Sequence, residues 1–170
     1  MRSCSDPVKV KEAIDRIEQA TKLPGEDLPE ELFLFVSRVT PLVNVDLLIK
    51  DEEQRTLLTW RDDDYYGAGW HVPGGIIRYK ERAEDRVRKV AETEIGCAVE
   101  FDPTPEKVVE SIAEQRNRGH FVSLLYRCRL AGEPDPARRA GKSPKRGEWA
   151  WHSRCPAELI AAQQMYAYLL

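Results

Sequence analysis

The 170-residue sequence lacks the features that mark several classes of protein. It has no run of the ~20 apolar residues that a membrane-spanning helix needs. Its N-terminal stretch MRSCSDPVKVKEAIDRIEQA contains no apolar core of a signal peptide. It also lacks an excess of positive charge, because 26 Lys and Arg residues stand against 29 Asp and Glu residues. We therefore expect a cytoplasmic protein that binds neither a membrane nor nucleic acid.

The cysteines lack the spacing of a metal site. The sequence contains four of them, Cys4, Cys97, Cys128 and Cys155, and they are far apart. No CxxC pair or Cys/His pair has the separation of zinc ligands. Reduced thiols are therefore expected, as in most cytosolic proteins.

Helical and strand patterns are both present, without strict alternation. Residues 7–22 and the segment PEELFLFVSRV have helical periodicity, and PAELIAAQQMYAYLL is expected to form a closing helix with Pro156 in its first turn. Strand patterns are found in TPLVNVDLLIK, QRTLLTWR, CAVEF, KVVESIAEQ, HFVSLLYRCRL and EWAWH, and AGEPDPARRAGKSPKRG is expected to be a mobile loop. These patterns predict an α/β or α+β fold with a mixed sheet, in which residues 1–26 form an N-terminal helical extension and residues 27–170 the main domain.

The stretch WHVPGGIIRYKERAEDRVRKVAETEIGC contains a carboxylate at an unexpected place. At 100° per residue, Ala83, Val87, Val90 and Ala91 form one apolar stripe of a helix, and Glu94 falls within that stripe. A carboxylate on the core side is costly unless it is paired or bound to a metal. Two interpretations of Glu94 are therefore open. It lies at a frayed helix end and contacts water or an arginine, or it is a metal ligand.

The glycine pair before this helix favours the metal. Gly74 and Gly75 allow a ligand to approach the backbone closely, and the loop leads to a helix N-terminus, which favours phosphate. A site that joins a diphosphate to the Glu94 carboxylate needs a cation between them, and oxygen ligands suit Mg²⁺.

These residues resemble the signature segment of the Nudix family. The family pattern is a Gly, five residues, a Glu, seven residues, Arg-Glu, an apolar residue, any residue, Glu-Glu, any residue and Gly. In this chain its positions are taken by Gly75, Glu81, Lys89, Val90, Ala91, Thr93, Glu94 and Gly96. Two carboxylates of the pattern are replaced, by Val90 and Thr93.

The same kind of loss marks the GDP-mannose mannosyl hydrolases, and TPLVNVDLLI, WHVPGG and HFVSLLYR also resemble that subfamily. The resemblance implies a Nudix α/β/α sandwich, a homodimer and Mg²⁺-dependent hydrolysis of a nucleotide sugar. Water would attack the sugar C1 with inversion, and the nucleoside diphosphate would leave with one Mg²⁺ neutralising its charge.

The resemblance also implies roles for single residues. Glu94 and the carbonyl of Gly74 would hold the metal, and Glu81 would orient the loop and helix. It also implies a catalytic role for Asp46 and Lys89 and substrate binding for Arg61. We add Gly75 and Arg78 as substrate-binding candidates and His120 as a catalytic candidate.

Some family positions differ in this chain. Ile76 replaces an Arg after the glycine pair, and the loop before the last strand contains neither the metal-binding Gln nor the general-base His of the family. His120 is the preferred replacement for that base, with His71 and His152 as alternatives. The basic loop, with Lys145 and Arg146, either clamps phosphates or is a solvated surface.

Two other functions stay open. A Nudix pyrophosphatase that attacks phosphorus would need further carboxylates turned towards the metal. A non-catalytic nucleotide- or protein-binding Nudix module would explain the missing His and Gln.

Overall fold

The computed structural model describes residues 6–21 and 28–170. Within them the main helices are α1 (Pro7–Ala20), α2 (Glu30–Val36) and α3 (Ala83–Val90), followed by a π-helical turn (Ala91–Ile95) and two 3₁₀ helices (Pro136–Arg138 and Ala161–Leu169). The strands are β1 (Leu42–Ile49), β2 (Thr56–Asp63), β3 (Gly67–His71), β4 (Gly74–Ile76), β5 (Val99–Phe101), β6 (Lys107–Ile112), β7 (His120–Leu130) and β8 (Trp149–His152).

The strands form two sheets. In the larger sheet the order is β4-β1-β7-β5. β5 pairs with the C-terminal end of β7, and β6 pairs with the N-terminal half of β7. β1 and β7 are parallel, whereas the other pairs of this sheet are antiparallel. The smaller sheet is antiparallel, in the order β3-β2-β8. The predicted α+β fold with a mixed sheet is therefore confirmed.

Strand β1 is buried on both faces. Val45, Leu47 and Ile49 pack with the apolar side of α3, whereas Leu48 packs into a second core with the C-terminal 3₁₀ helix. A strand covered on both faces is apolar along most of its length rather than at alternate positions. Asp46 points to the same face as Leu48, so the one charge in this strand faces the second layer.

Helix α1 confirms the predicted helix over Pro7–Ala20, whereas Thr21 is extended and residue 22 lies outside the described residues. It begins where the Asp6 side chain accepts a hydrogen bond from the Val8 amide, and none of its residues is buried. Val8 is 66% exposed, and Val10 and Ile14 are exposed as well. The expected boundary between residues 26 and 27 lies outside the described residues and stays a prediction. None of the helices in residues 6–21 and 28–170 has the length and apolar character needed to cross a bilayer.

Two sequence predictions need correction. The closing helix does not start at Pro156, because Trp70 of β3 exchanges backbone hydrogen bonds with Glu158 and Ile160, which extends this part of the chain. The helix begins at Ala161 and is a 3₁₀ helix. The loop at 131–147 also contains a 3₁₀ helix and is anchored at Asp135, whose amide donates to the Ile95 carbonyl and whose carbonyl accepts from Trp149.

Candidate functional site

The glycine pair is placed against a buried carboxylate. Strand β4 pairs with β1 so that Gly74 lies opposite Asp46 and Gly75 opposite Val45. A Cβ at Gly74 would collide with the Asp46 carboxylate and lie 2.9 Å from the Val45 carbonyl oxygen. Close approach of the strand to Asp46 thus requires glycine at this position.

Asp46 is buried within a network of hydrogen bonds. Tyr166 donates its hydroxyl to Oδ2 at 2.7 Å, and the Asn44 amide donates to Oδ1 at 2.8 Å. The Ser123 hydroxyl donates in turn to Asn44 Oδ1 at 2.8 Å. Burial raises the pKa of the Asp46 carboxyl to about 6, although these donors favour its ionised form.

Glu94 lies in the π-helical turn that follows α3. The turn ends at Gly96, which adopts a left-handed conformation (φ 72°) and donates its amide to the carbonyls of Ala91 and Glu92. The Glu94 side chain is 29% exposed, so it lies at the edge of the apolar stripe rather than inside it. Its Oε2 accepts a hydrogen bond from Thr59 at 3.2 Å and lies 3.6 Å from His71 Nε2.

The carboxylate of Glu81 has the orienting role that the resemblance implied. Its Oε2 accepts hydrogen bonds from the Arg78 amide at 2.7 Å and from Arg86 Nε at 2.8 Å. It therefore ties the loop after the glycine pair to the first turn of α3.

The remaining carboxylates of this helix bind basic side chains on its outer side. Arg88 donates to both Glu84 and Asp85, at 3.4 and 3.1 Å. Glu92 lies 3.6 Å from the Lys89 ammonium group. These three carboxylates are exposed or half-exposed and are turned away from Thr59 and His71.

A pocket of about 480 Å³ opens beside Asp46. One side, which we call the carboxylate side, consists of Asp46, His71 and Gly74, and the Glu94 carboxylate lies 3.6 Å from His71 Nε2. The other side, which we call the arginine–tyrosine wall, consists of Phe33, Arg61, Tyr65, Tyr66 and Arg118. Gly75 and Arg78 also line the pocket.

Arg61 is held in place on the wall. Its Nε lies 2.8 Å from Asp63 Oδ2, and its guanidinium lies 4.9 Å from the centre of the Tyr66 ring. The structure thus brings six of the predicted site residues to the pocket or next to it: Asp46, Arg61, Gly74, Gly75, Arg78 and Glu94.

Lys89 and His120 are not brought to this pocket. The Lys89 side chain is 57% exposed and faces Glu92, and His120 Nε2 lies 3.1 Å from Glu110 Oε1. Of the two other histidines, His152 packs edge-on against Trp70 at 4.5 Å, and His71 lines the pocket. His71 is therefore the histidine of the described chain that lies nearest to Glu94.

The basic loop is used in part for structure. Arg138 donates to Asp135 at 3.2 Å and to the Thr93 carbonyl at 2.6 Å, which anchors the loop on the π-helical turn. Lys145 and Arg146 are not among the residues that line the pocket. The position of these two residues therefore does not support the interpretation of this loop as a phosphate clamp.

Sequence reasoning missed Thr59, Tyr166 and Arg118. Thr59 and Tyr166 contact Glu94 and Asp46 across separations of 35 and 120 residues, which no local pattern shows. For Arg118, the neighbouring aromatic pair in DDDYYGAG was the available signal, because exposed tyrosines in a loop often line a binding site.

The donor set fits one divalent cation that shares its coordination with a substrate. Among the described residues, no group of three or more His, Cys, Asp or Glu side chains could hold a metal ion by itself. A single partly exposed carboxylate and a glycine carbonyl are hard oxygen donors, and Mg²⁺ is commonly held by one or two such groups with substrate phosphates and water. Glu94 and Gly74 would be the protein ligands.

Known proteins resemble this chain in sequence and structure. The family model described as NUDIX domain matches residues 40–166. The low-salt glycan biosynthesis protein Agl8 of Haloferax volcanii is 33% identical over 88 residues, which make up 52% of this chain and 55% of that protein. The matched region thus spans about half the length of this curated relative.

Solved structures resemble the fold over most of the chain. The MutT NUDIX hydrolase of Burkholderia pseudomallei superposes with a TM-score of 0.62 and 25% identity, over 77% of this chain and 98% of that one. A possible asymmetric diadenosine tetraphosphate hydrolase of Jonesia denitrificans superposes with a TM-score of 0.60 and 22% identity, over 77% and 92%. With its glycine pair, its helix and Glu81 in the arrangement described above, the chain belongs to the Nudix hydrolase family.

Proposed function

We propose that this protein hydrolyses a nucleotide sugar of the GDP-mannose type at the sugar C1, with Mg²⁺, and releases a nucleoside diphosphate and the free sugar. The observation that carries the proposal is the direction of the carboxylates around α3. Glu94 lies next to His71, which lines the pocket, whereas Glu81, Glu84, Asp85 and Glu92 bind arginine or lysine side chains.

This arrangement supports a site with a single metal. Attack on phosphorus in a Nudix pyrophosphatase was expected to need further carboxylates turned inward, and those of this helix are turned outward. Departure of a nucleoside diphosphate from carbon needs mainly neutralisation of the leaving group. When bound by Glu94 and the Gly74 carbonyl, Mg²⁺ would supply that neutralisation.

The residues of the pocket have distinct tasks in this reaction. The attacking water forms a bond to C1 as the C1–O bond breaks, the electron pair of that bond leaves with the diphosphate, and the proton of the water passes to a base. Asp46 is our candidate for the base, because its carboxylate lines the pocket and is held by Tyr166 and Asn44. Arg61 is expected to bind the substrate, and the Glu94 carboxylate keeps its position through Thr59.

The relatives are consistent with this choice without deciding it. A relative named for glycan biosynthesis suggests a sugar-containing substrate. A relative described as a diadenosine tetraphosphate hydrolase suggests instead the cleavage of a phosphoanhydride, which is the second candidate function.

Product analysis in ¹⁸O-labelled water separates these functions. After incubation with GDP-mannose and Mg²⁺, we expect GDP and mannose, with the label on mannose. GMP and mannose 1-phosphate, with the label on a phosphate, would overturn the proposal in favour of the pyrophosphatase. Tight binding without any product from GDP-mannose or from a panel of other nucleotide sugars would favour the binding module. The Glu94→Gln variant controls for contaminating activity.

Assembly and location complete the proposal. We propose a homodimer in which the exposed apolar side chains of α1 contact the partner, and light scattering of the whole protein against a variant with Val10 and Ile14 changed to Ser tests it. A monomeric wild-type protein would overturn the dimer. We also propose a cytoplasmic location, which rests on the expectation of reduced thiols.

A further inference from the structure

The arginine–tyrosine wall contains a residue held in an unusual backbone conformation. Arg118 adopts a positive φ of 55°, which is uncommon for a residue with a side chain. Three hydrogen bonds maintain it: its amide donates to Ser37 Oγ at 3.1 Å, and its carbonyl accepts from Tyr66 Oη at 3.3 Å and Gln115 Nε2 at 3.0 Å. Such conformations persist where the surroundings fix them, and they are frequent at ligand sites.

The side chain of Arg118 is surrounded by aromatic rings. Its guanidinium lies 5.7, 5.0 and 5.2 Å from the ring centres of Phe33, Tyr65 and Tyr66. Ring faces attract a cation but do not accept hydrogen bonds in the plane of the guanidinium. Accordingly, the buried Nε of Arg118 has no hydrogen-bond partner within the described chain.

Two carboxylates next to the wall, Asp63 and Glu30, are already engaged. Asp63 pairs with Arg61 at 2.8 Å and accepts both the Tyr65 and the Tyr66 amides at 2.9 Å. Glu30 accepts the Tyr65 hydroxyl at 3.1 Å. Donors of Arg118 are therefore left for a ligand in the pocket.

The charge of the wall indicates which kind of ligand this is. Among the described residues, the neighbouring carboxylates of Glu30 and Asp63 balance Arg61 and Arg118, so the wall and these neighbours together have no net positive charge to attract a second phosphate. It does offer aromatic faces beside a planar donor fork. A flat, uncharged ring with adjacent acceptors is the chemical group that fits.

Resting on the proposed function, we propose that Arg118 binds the nucleobase of the substrate and selects guanine. Guanine presents the O6 and N7 acceptors side by side, and arginine is the side chain that donates to both. Adenine presents an amino donor at the place of O6, and in uracil the N3–H donor separates the two carbonyl acceptors. Arg118 is thus a specificity-determining residue, while the carboxylate side holds the reacting diphosphate and sugar.

Calorimetric titration of the whole protein with GDP, ADP and UDP in Mg²⁺ tests this assignment without depending on turnover. We expect the wild-type protein to bind GDP at least about tenfold more tightly than ADP or UDP. In Arg118→Met, GDP binding should weaken by about tenfold or more, while ADP binding changes by less than about threefold. Arg118→Lys should be intermediate, since it keeps the charge but loses the fork.

Arg38 provides a matched control. It lies over the Phe35 ring and donates to Asn117, the residue that precedes Arg118. Arg38 does not line the pocket. Arg38→Met should leave all three affinities unchanged. Thermal unfolding of each variant verifies folding, and if Arg118→Met does not fold, the loss of base preference in Arg118→Lys becomes the deciding measurement.

Three outcomes overturn the inference: no preference for GDP in the wild-type protein, equal weakening of all three ligands in Arg118→Met, or no binding of any of them. Equal weakening would assign Arg118 to phosphate binding or to packing. Selective GDP binding without release of mannose would leave the base assignment standing and overturn the proposed reaction. Release of mannose without a preference for GDP would support the proposed reaction and overturn the base assignment.

Discussion

The two sides of the pocket hold their charged groups in different ways. On the carboxylate side, Asp46 is buried among donors and Glu94 is half-exposed, with Thr59 as its donor. On the arginine–tyrosine wall, charges of opposite sign stand among aromatic rings and largely balance one another. We propose that the first side binds a cation and phosphates and the second a flat ring, so a variant on one side should leave the task of the other intact.

The Glu94 carboxylate tests the carboxylate side with the largest expected effect. In Glu94→Gln the negative charge is lost while the size and the acceptor for Thr59 remain, so we expect hydrolysis to fall by about 10²-fold or more with little change in thermal stability. Glu92→Gln, at an exposed carboxylate paired with Lys89, should be nearly neutral. Similar losses in both variants would contradict the assignment of Glu94.

Gly74→Ala tests the fit between β4 and Asp46. The added methyl group would collide with the Asp46 carboxylate and crowd the Val45 carbonyl, both of which lie in a packed strand. We expect the free energy of unfolding to fall by about 2–3 kcal/mol, measured by urea denaturation. Gly141→Ala is the matched control, because a Cβ there meets nothing within 4 Å. An unchanged midpoint for Gly74→Ala would refute the close approach.

Burial of Asp46 predicts a dependence of stability on pH. Its pKa is about 6 in the folded protein against 3.8 for the ordinary group, so the folded state holds the proton more strongly. The carboxyl costs no stability below about pH 3.8, and the cost grows as the pH rises and is complete above about pH 6.

Asp46→Asn removes that titration. We expect the variant to gain about 1–2 kcal/mol in unfolding free energy relative to wild type at pH 7.5, and much less at pH 4.5. Urea denaturation at the two pH values measures the difference. Asp62→Asn, at an exposed position, should show no such trend. An equal gain at both pH values would point to packing rather than to ionisation.

Lys89→Met has the smallest expected effect and tests whether Lys89 belongs to the catalytic site. The resemblance places a leaving-group residue here, but the side chain faces Glu92 and solvent. We expect the hydrolysis rate to change by less than about threefold. A large loss of kcat without a change in KM would restore the catalytic role of Lys89.

Local pattern predicted those parts of the fold that depend on local periodicity. The apolar run of β1 and the stripe of Val87, Val90 and Ala91 were visible in the sequence, whereas the role of Glu81 came from the family resemblance. The position of Glu94 was predicted less well, because the π-helical turn changes the angle at which its side chain leaves the helix.

Contacts between distant segments could not be predicted in this way. Arg118 meets rings contributed by α2 and by the turn after β2, and its conformation depends on Ser37 and Tyr66. The displacement of His120 from the pocket follows from its pairing with Glu110 across β6 and β7. Such placements depend on the topology of the sheets, which a single sequence leaves open.

The bond between Tyr166 and Asp46 has a consequence for biosynthesis. Because the two residues are 120 positions apart, a nascent chain can pair β1 with β4 long before the hydroxyl that binds Asp46 has left the ribosome. Gln163, which accepts from the Val72 amide and donates to its carbonyl, is delayed in the same way. The Asp46 carboxylate therefore gains its tyrosine partner only after Tyr166 has emerged, well after the two strands beside it.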